Sequence, residues 1–142
     1  MALRIRKMEN GKWSDVRSLE NCNNVTIIIL NEKIYIIGNE PSFKSYDPIT
    51  DSFTSLKPCR VHTKGVAIAF ENSIYIFGGE DFCRYLSNSV ERYDSVKNEW
   101  ILCNKMPQVR NKFTAVAFKN KIYIIGGYVF SLSRDQYVHV NI

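Results

Sequence analysis

Three stretches of the chain set short apolar runs around a tight polar turn in the same order: Thr26-Ile-Ile-Ile-Leu-Asn-Glu-Lys-Ile-Tyr-Ile-Ile-Gly-Asn39, Val66-Ala-Ile-Ala-Phe-Glu-Asn-Ser-Ile-Tyr-Ile-Phe-Gly-Gly79 and Thr114-Ala-Val-Ala-Phe-Lys-Asn-Lys-Ile-Tyr-Ile-Ile-Gly-Gly127. Apolar runs of five to six residues flanking Asn-containing turns predict a β-hairpin in each copy. The first strand of each hairpin is apolar almost throughout, the pattern of a strand covered on both faces. The second runs into glycine, which frees the backbone to take positive φ and to approach a neighbour closely.

A second pattern lies between the copies. Phe43-Lys-Ser-Tyr46-Asp47 precedes Phe53, and Val90-Glu-Arg-Tyr93-Asp94 precedes Trp100, with seven residues from Tyr to the aromatic in both. Pro48-Ile-Thr-Asp51 and Ser95-Val-Lys-Asn98 reverse the chain between them. Ile5 to Met8 followed by Trp13 is a weaker third instance, its connection shortened by Asn10-Gly11. The strands expected are 3–8, 12–16, 25–30, 33–38, 42–47, 52–55, 65–70, 73–78, 88–94, 99–103, 113–118, 121–126 and 135–141. Equivalent isoleucines Ile34, Ile74 and Ile122 stand 40 and 48 residues apart. Nearly all the difference falls between second and third strands, which marks that connection as a surface loop on one side of a repeat array.

A period near 50, four strands per unit, a double glycine closing the second strand, Tyr93-Asp94 with Trp100 downstream, and Met106-Pro107-x-x-Arg110 resemble the kelch repeat, the unit of kelch β-propellers. The Ile-Tyr-Ile-Ile-Gly-Gly and Val-Glu-Arg-Tyr-Asp style is similar to the kelch regions of poxvirus kelch-like proteins. The first copy departs from the pattern, with Gly38-Asn39 for Gly-Gly, Phe53 for Trp, and Cys59-Arg60-Val61-His62 for Met-Pro-x-x-Arg. The resemblance implies an all-β fold, an incomplete kelch β-propeller of about three blade-equivalents built from four-stranded antiparallel sheets. Residues 1–142 then form one kelch-repeat domain: 1–24 a partial blade, 25–64 the first kelch repeat, 65–112 the second and 113–142 a partial third. Gly38, Gly78, Gly79, Gly126, Gly127, Tyr46, Asp47, Tyr93, Asp94, Trp13 and Trp100 carry its structural motif. Tyr35, Tyr75 and Tyr123 are expected in packing, and Trp13, Phe53 and Trp100 as wedges between blades.

Three blade-equivalents do not close a ring, since propellers close with about 4 to 8 blades. Two consequences are open: two chains complete one ring of about six blades as a homo-dimer, or the chain is a truncated, non-functional remnant of a longer BTB-kelch adaptor of a cullin-3 ubiquitin ligase. The BTB and BACK regions that would recruit such a ligase have no counterpart here, because every segment is assigned to strands.

Composition narrows the chemistry. The 142 residues are 45% apolar and 23% charged, which excludes a disordered or collagen-like chain. Nineteen basic against 14 acidic residues give +5, a mild attraction to acidic partners. No apolar run approaches a bilayer span and the first residues lack a secretory apolar core, so the expected location is the cytoplasm, the host's for a viral protein. Cys22, Cys59, Cys83 and Cys103 show no paired spacing, and His62 and His139 stand 77 residues apart. Neither a zinc site nor the Tyr/His copper site of a kelch-type oxidase is legible, so no metal, cofactor or catalytic residue is assigned and the chain is read as no enzyme. The glycine pairs lack the Gly-Lys-Ser/Thr and helix of a phosphate loop, and nucleic-acid binding rests on pI alone.

The function expected is therefore a non-catalytic protein–protein interaction module, in a virus–host setting if the poxviral likeness holds. Kelch propellers place an arginine near the central opening where Arg110 stands, and in related modules it contacts acidic ligands through its fork of donors. His62 aligns with it one repeat earlier. The structural alternative pairs Arg110 with Glu91 or Asp94. The long connections after the glycine pairs add Phe82, Arg84 and Tyr85 in one repeat and Arg134 in the next, aromatic and arginine residues of the kind that anchor partners.

Overall fold

The computed structural model describes residues 3–20, 25–38, 42–60, 64–80, 83, 85–131 and 136–139, from residue 129 onward by backbone alone. It is all β. Strands β1 (Leu3–Glu9) and β2 (Lys12–Leu19) form a hairpin. Strands β3 (Thr26–Leu30), β4 (Lys33–Ile37), β5 (Phe43–Asp47) and β6 (Ser52–Leu56) follow as one antiparallel sheet in that order. Strands β7 (Val66–Phe70), β8 (Ser73–Phe77), β9 (Val90–Asp94) and β10 (Glu99–Leu102) make a second sheet of the same order. Two more hairpins complete the described chain, β11 (Thr114–Phe118) with β12 (Lys121–Ile125) and β13 (Tyr128–Ser131) with β14 (Gln136–His139).

Local chemistry explains the turns. Each first hairpin closes on two residues in the left-handed region, Asn31-Glu32, Glu71-Asn72 and Lys119-Asn120, the geometry whose twist matches flanking strands. The outer hairpins close differently. Asp47 Oδ1 accepts the backbone N–H of Ile49 and Thr50 at 2.9 and 3.3 Å, and Asp94 Oδ1 accepts those of Val96 and Lys97 at 3.0 and 3.1 Å. Those bonds hold the Asp94 carboxyl below its ordinary pKa, the Lys97 amide contributing most. Tyr46 and Tyr93 donate their hydroxyls across the same turns to Asp51 and Asn98, each at 2.9 Å. The Tyr-Asp pair is thus a turn-locking device.

The core lies between sheets. Leu30, Tyr35, Ile37 and Phe43 of the first sheet pack on Ile74, Ile76 and Tyr93 of the second, and both isoleucines are fully buried. Phe77 and Val90, with Val66, Ile68 and Tyr75, pack on Ala115, Ile122 and Ile124 of the β11–β12 hairpin, with Met106 and Phe113 between. Ile34 and Ile36 meet Leu3, Ile5 and Leu19 of the first hairpin, with Phe53 beside them. Between the two four-stranded sheets, the face carrying Tyr35, Ile37 and Phe43 meets the face carrying Ile74, Ile76 and Tyr93. Innermost strands lie side by side, β3 next to β7 and β7 next to β11. Trp100 tilts against Phe43 at 5.2 Å and donates Nε1–H to the Lys57 carbonyl at 2.9 Å, a wedge between sheets as expected.

Three expectations are corrected. The strand expected over 135–141 does not extend the β11–β12 sheet: Gln136–His139 pairs with Tyr128–Ser131, a strand absent from the sequence reading. The physical reason is visible one repeat earlier, where Glu80 bridges Leu86 within the β8–β9 connection. Tyr128 follows its glycine pair as Glu80 follows Gly78-Gly79, so β13–β14 is that same excursion zipped further. Trp13 is no wedge, being 68% exposed, because the described residues place no sheet against its face. Tyr123 is 43% exposed whereas Tyr35 is buried, for the same reason at the opposite end.

Candidate functional site

Where β7 and β11 begin and β8 ends, the second sheet and the β11–β12 hairpin leave a cavity of about 380 Å³. Lys64, Val66, Gly79, Glu80, Arg110, Asn111, Lys112 and Phe113 line it. Gly78 and Gly79 turn the chain out of β8 with φ of 58° and 96°, carrying Glu80 to the rim. A Cβ on Gly78 would stand 3.2 Å from Met106 Cε and 3.3 Å from Phe113 Cε1, the latter residue lining the cavity. Asn111 and Tyr128 exchange backbone hydrogen bonds at 2.9 and 2.8 Å, fixing the segment that carries Arg110 and Lys112.

The lining is cationic. Arg110, half-buried, donates Nη1–H to the Gly126 carbonyl at 3.0 Å, a bond that sets the plane of its guanidinium. Lys64 holds both oxygens of Glu80 at 2.9 Å, and Lys112 is exposed beside them. Three cations and one carboxylate around a cavity with apolar Val66 and Phe113 suit a ligand that is acidic and partly apolar.

Arg110, expected from the sequence as a binding arginine, lines this cavity, and its structural partner is the Gly126 carbonyl, not Glu91 or Asp94. Asp94 serves its own turn and Glu91, buried, accepts the Arg60 backbone N–H at 3.5 Å. Tyr85 is 72% exposed on the connection beyond Glu80, and its neighbour Leu86 bridges back to Glu80. His62, Phe82, Arg84 and Arg134 lie outside the described residues. Lys64 and Lys112 were missed. They are repeat equivalents, each two residues before its first strand and each in the left-handed region with φ of 64° and 54°. The repeat alignment that matched His62 to Arg110 carried that signal.

The motif glycines and aromatics divide by environment. Gly38 and Gly78 donate their N–H groups to the Ser42 and Ser89 carbonyls, each at 2.9 Å, at matching places in the two sheets. Gly126 and Gly127 both have positive φ. Burial pushes the Tyr93 phenol and the Cys59 thiol each up to about 12, Glu91 adding to the thiol's shift. Cys59 and Cys103 are half-buried, as expected of small apolar fillers, whereas Cys83 is exposed.

With the blade geometry in place, the comparison with known families falls on the second sheet. A family model of the kelch motif matches residues 66–107, from β7 through Met106-Pro107. This segment is similar to the kelch motif. The chain is 41% identical over 56 residues to human Kelch-like protein 4, a match covering 39% of this chain and 8% of that protein. It is 32% identical over 116 residues to zebrafish Kelch-like protein 21, covering 76% of this chain and 18% of the relative. The chain thus spans less than a fifth of either relative. Two four-stranded antiparallel sheets flanked by hairpins are the form partial kelch blades take, and the kelch motif coincides with the better preserved of the two.

Proposed function

We propose that the chain is a non-catalytic protein-interaction module that receives an acidic segment of a partner protein in the cavity between β7 and β11. The observation that carries this is the convergence of Arg110, Lys64 and Lys112 on one concave site, from two different repeats and with apolar residues in its lining. Exposed Tyr85, on the connection beyond Glu80, extends the contact area. The reading is a reduced, cytoplasmic setting, and the poxvirus-like style of the repeats makes a host protein the corresponding partner. Kinship with kelch-like proteins suggests a substrate-docking role, with any coupling to a ubiquitin ligase left to other segments or subunits.

A labelled Asp/Glu-rich peptide containing one aromatic residue, titrated by fluorescence anisotropy, tests it. Saturable binding that weakens with salt is expected. Arg110→Ala should lower affinity about 10-fold or more, the scale of one charge-assisted hydrogen bond, with little change in melting temperature. Lys119→Ala, an equal change of charge at the β11–β12 turn, should leave it unchanged. Equal loss in both variants, or none in Arg110→Ala, would show a nonspecific response to net charge and sink the assignment.

A further inference from the structure

The two end hairpins are complementary halves of one blade. In the first sheet Tyr46 pairs with Phe53 and in the second Tyr93 with Trp100, each between third and fourth strands. Met8 pairs with Trp13 in the same relation, one residue before the turn pair Glu9↔Lys12, as Tyr46 precedes Asp47↔Ser52. Three residues earlier, Phe43 and Val90 face the following sheet, and so does Ile5, which packs toward Ile34 and Ile36. The β1–β2 hairpin is thus an outer half, third and fourth strands. The β11–β12 hairpin, by its sequence and its packing on the second sheet, is an inner half, first and second strands.

Among the described residues β12 has no strand on its outer edge, and neither has β1 on the edge away from β2. Apolar side chains stand open beside both edges: Val116 43%, Phe118 58%, Tyr123 43% and Ile125 46% exposed on one hairpin, Met8 61% and Trp13 68% on the other. Their equivalents in complete sheets are covered, Tyr35, Ile37, Tyr46 and Tyr93 all being buried.

We infer that a second copy of this chain supplies the missing half: β1 of one copy adds to β12 of the other, making a four-stranded blade β11-β12-β1-β2 from two chains. Register follows from the intact sheets. Ile34 pairs with Tyr46 and Ile37 with Phe43; Ile74 pairs with Tyr93 and Phe77 with Val90. By equivalence Ile122 pairs with Met8 of the second copy, Tyr123 with Lys7, Ile124 with Arg6 and Ile125 with Ile5. The basic residues of β1 do not oppose this, because Arg6 takes the position that Lys44 and Glu91 hold in the complete sheets. Over its described residues each copy then contributes a half, two wholes and a half, and two copies give about six blades, within the range in which propellers close. This goes beyond the proposed pocket and rests on different residues.

Sedimentation equilibrium of the full chain reads the outcome. The expected species has twice the 16.5 kDa chain mass at micromolar concentration. Tyr123→Glu and Trp13→Ala, at opposite ends and both on exposed side chains, should each shift dissociation about 10-fold or more upward, the loss of one central aromatic anchor. Ile49→Glu, on the exposed β5–β6 turn, should not. Tryptophan emission of the wild type minus that of Trp13→Phe gives the Trp13 contribution, which should move to shorter wavelength as the protein associates. A single-chain mass at all concentrations overturns the inference. So does a two-chain species that ignores Tyr123→Glu and leaves Trp13 in water, or a mass that climbs without limit.

Discussion

Two adjacent glycines close β12 for different reasons. Gly127 has φ of 93°, and a Cβ there would lie 2.8 Å from the Asn111 carbonyl oxygen and 2.9 Å from Phe113 Cβ, so the Arg110–Phe113 segment can run against it only if that carbon is absent. Gly126 has φ of 74° but open space around it. Gly126→Ala should therefore cost about 1 kcal/mol, the backbone term alone. Gly127→Ala should cost clearly more, about 2 kcal/mol or above, because backbone must also move. Urea denaturation of the two variants gives the comparison directly, and equal losses would contradict this account. Titration adds a second residue-scale expectation. With Tyr93 and Cys59 pushed up to about 12 from ordinary values of 10.0 and 9.0, the unfolded chain releases these protons first. Above pH 9 the native state then binds more protons than the unfolded state, so the stability these groups contribute, complete below that pH, is lost as pH rises toward 12. Denaturant midpoints measured across that window should fall, and Tyr93→Phe and Cys59→Ala should each flatten the descent.

At the scale of elements, stability resides in rows of aliphatic side chains on neighbouring sheets. Ile74 and Ile76 are fully shielded by side chains of the preceding sheet, whereas Ile49 on a turn is 82% exposed. Ile74→Ala should cost about 2–5 kcal/mol, while Ile49→Ala should stay within about 0.5 kcal/mol. Chemical denaturation distinguishes them. Hairpins and sheets were legible because their signals are local: a two-residue turn between apolar runs, or a Tyr-Asp pair with an acceptor four residues after the Asp. The β13 strand was not, since nothing within 128–134 distinguishes an open loop from one that folds onto itself; only Glu80↔Leu86 in the preceding repeat indicates it. Arg110 was legible through Met106-Pro107, but its bond to Gly126 joins positions 16 residues apart and depends on how the glycine pair bends the chain. Lys64 and Lys112 escaped because lysines before strands ordinarily mean nothing more than a solvated surface.

At the scale of the whole molecule, several described ion pairs are peripheral and the apolar rows central. Arg6–Asp15, Lys7–Glu9 and Lys57–Glu99 join side chains at least half exposed, so each adds little to stability in physiological salt. The cations lining the cavity, Arg110, Lys64 and Lys112, stand outside the apolar rows between sheets, so Arg110→Ala is expected to separate binding from folding. The sheets themselves are not interchangeable front to back. The surface carrying Tyr35 and Phe43 abuts the one carrying Ile74, Ile76 and Tyr93, two different faces of equivalent sheets, so the stack carries an arrow, and whatever joins it must point the same way. Mirror-like association would set two identical surfaces together and forfeit the interlocking of Tyr35 and Phe43 with Ile74, Ile76 and Tyr93. Accretion is consequently vectorial: a fixed turn per layer either returns to its origin or winds on as a fibre, and the angle between adjacent layers decides which.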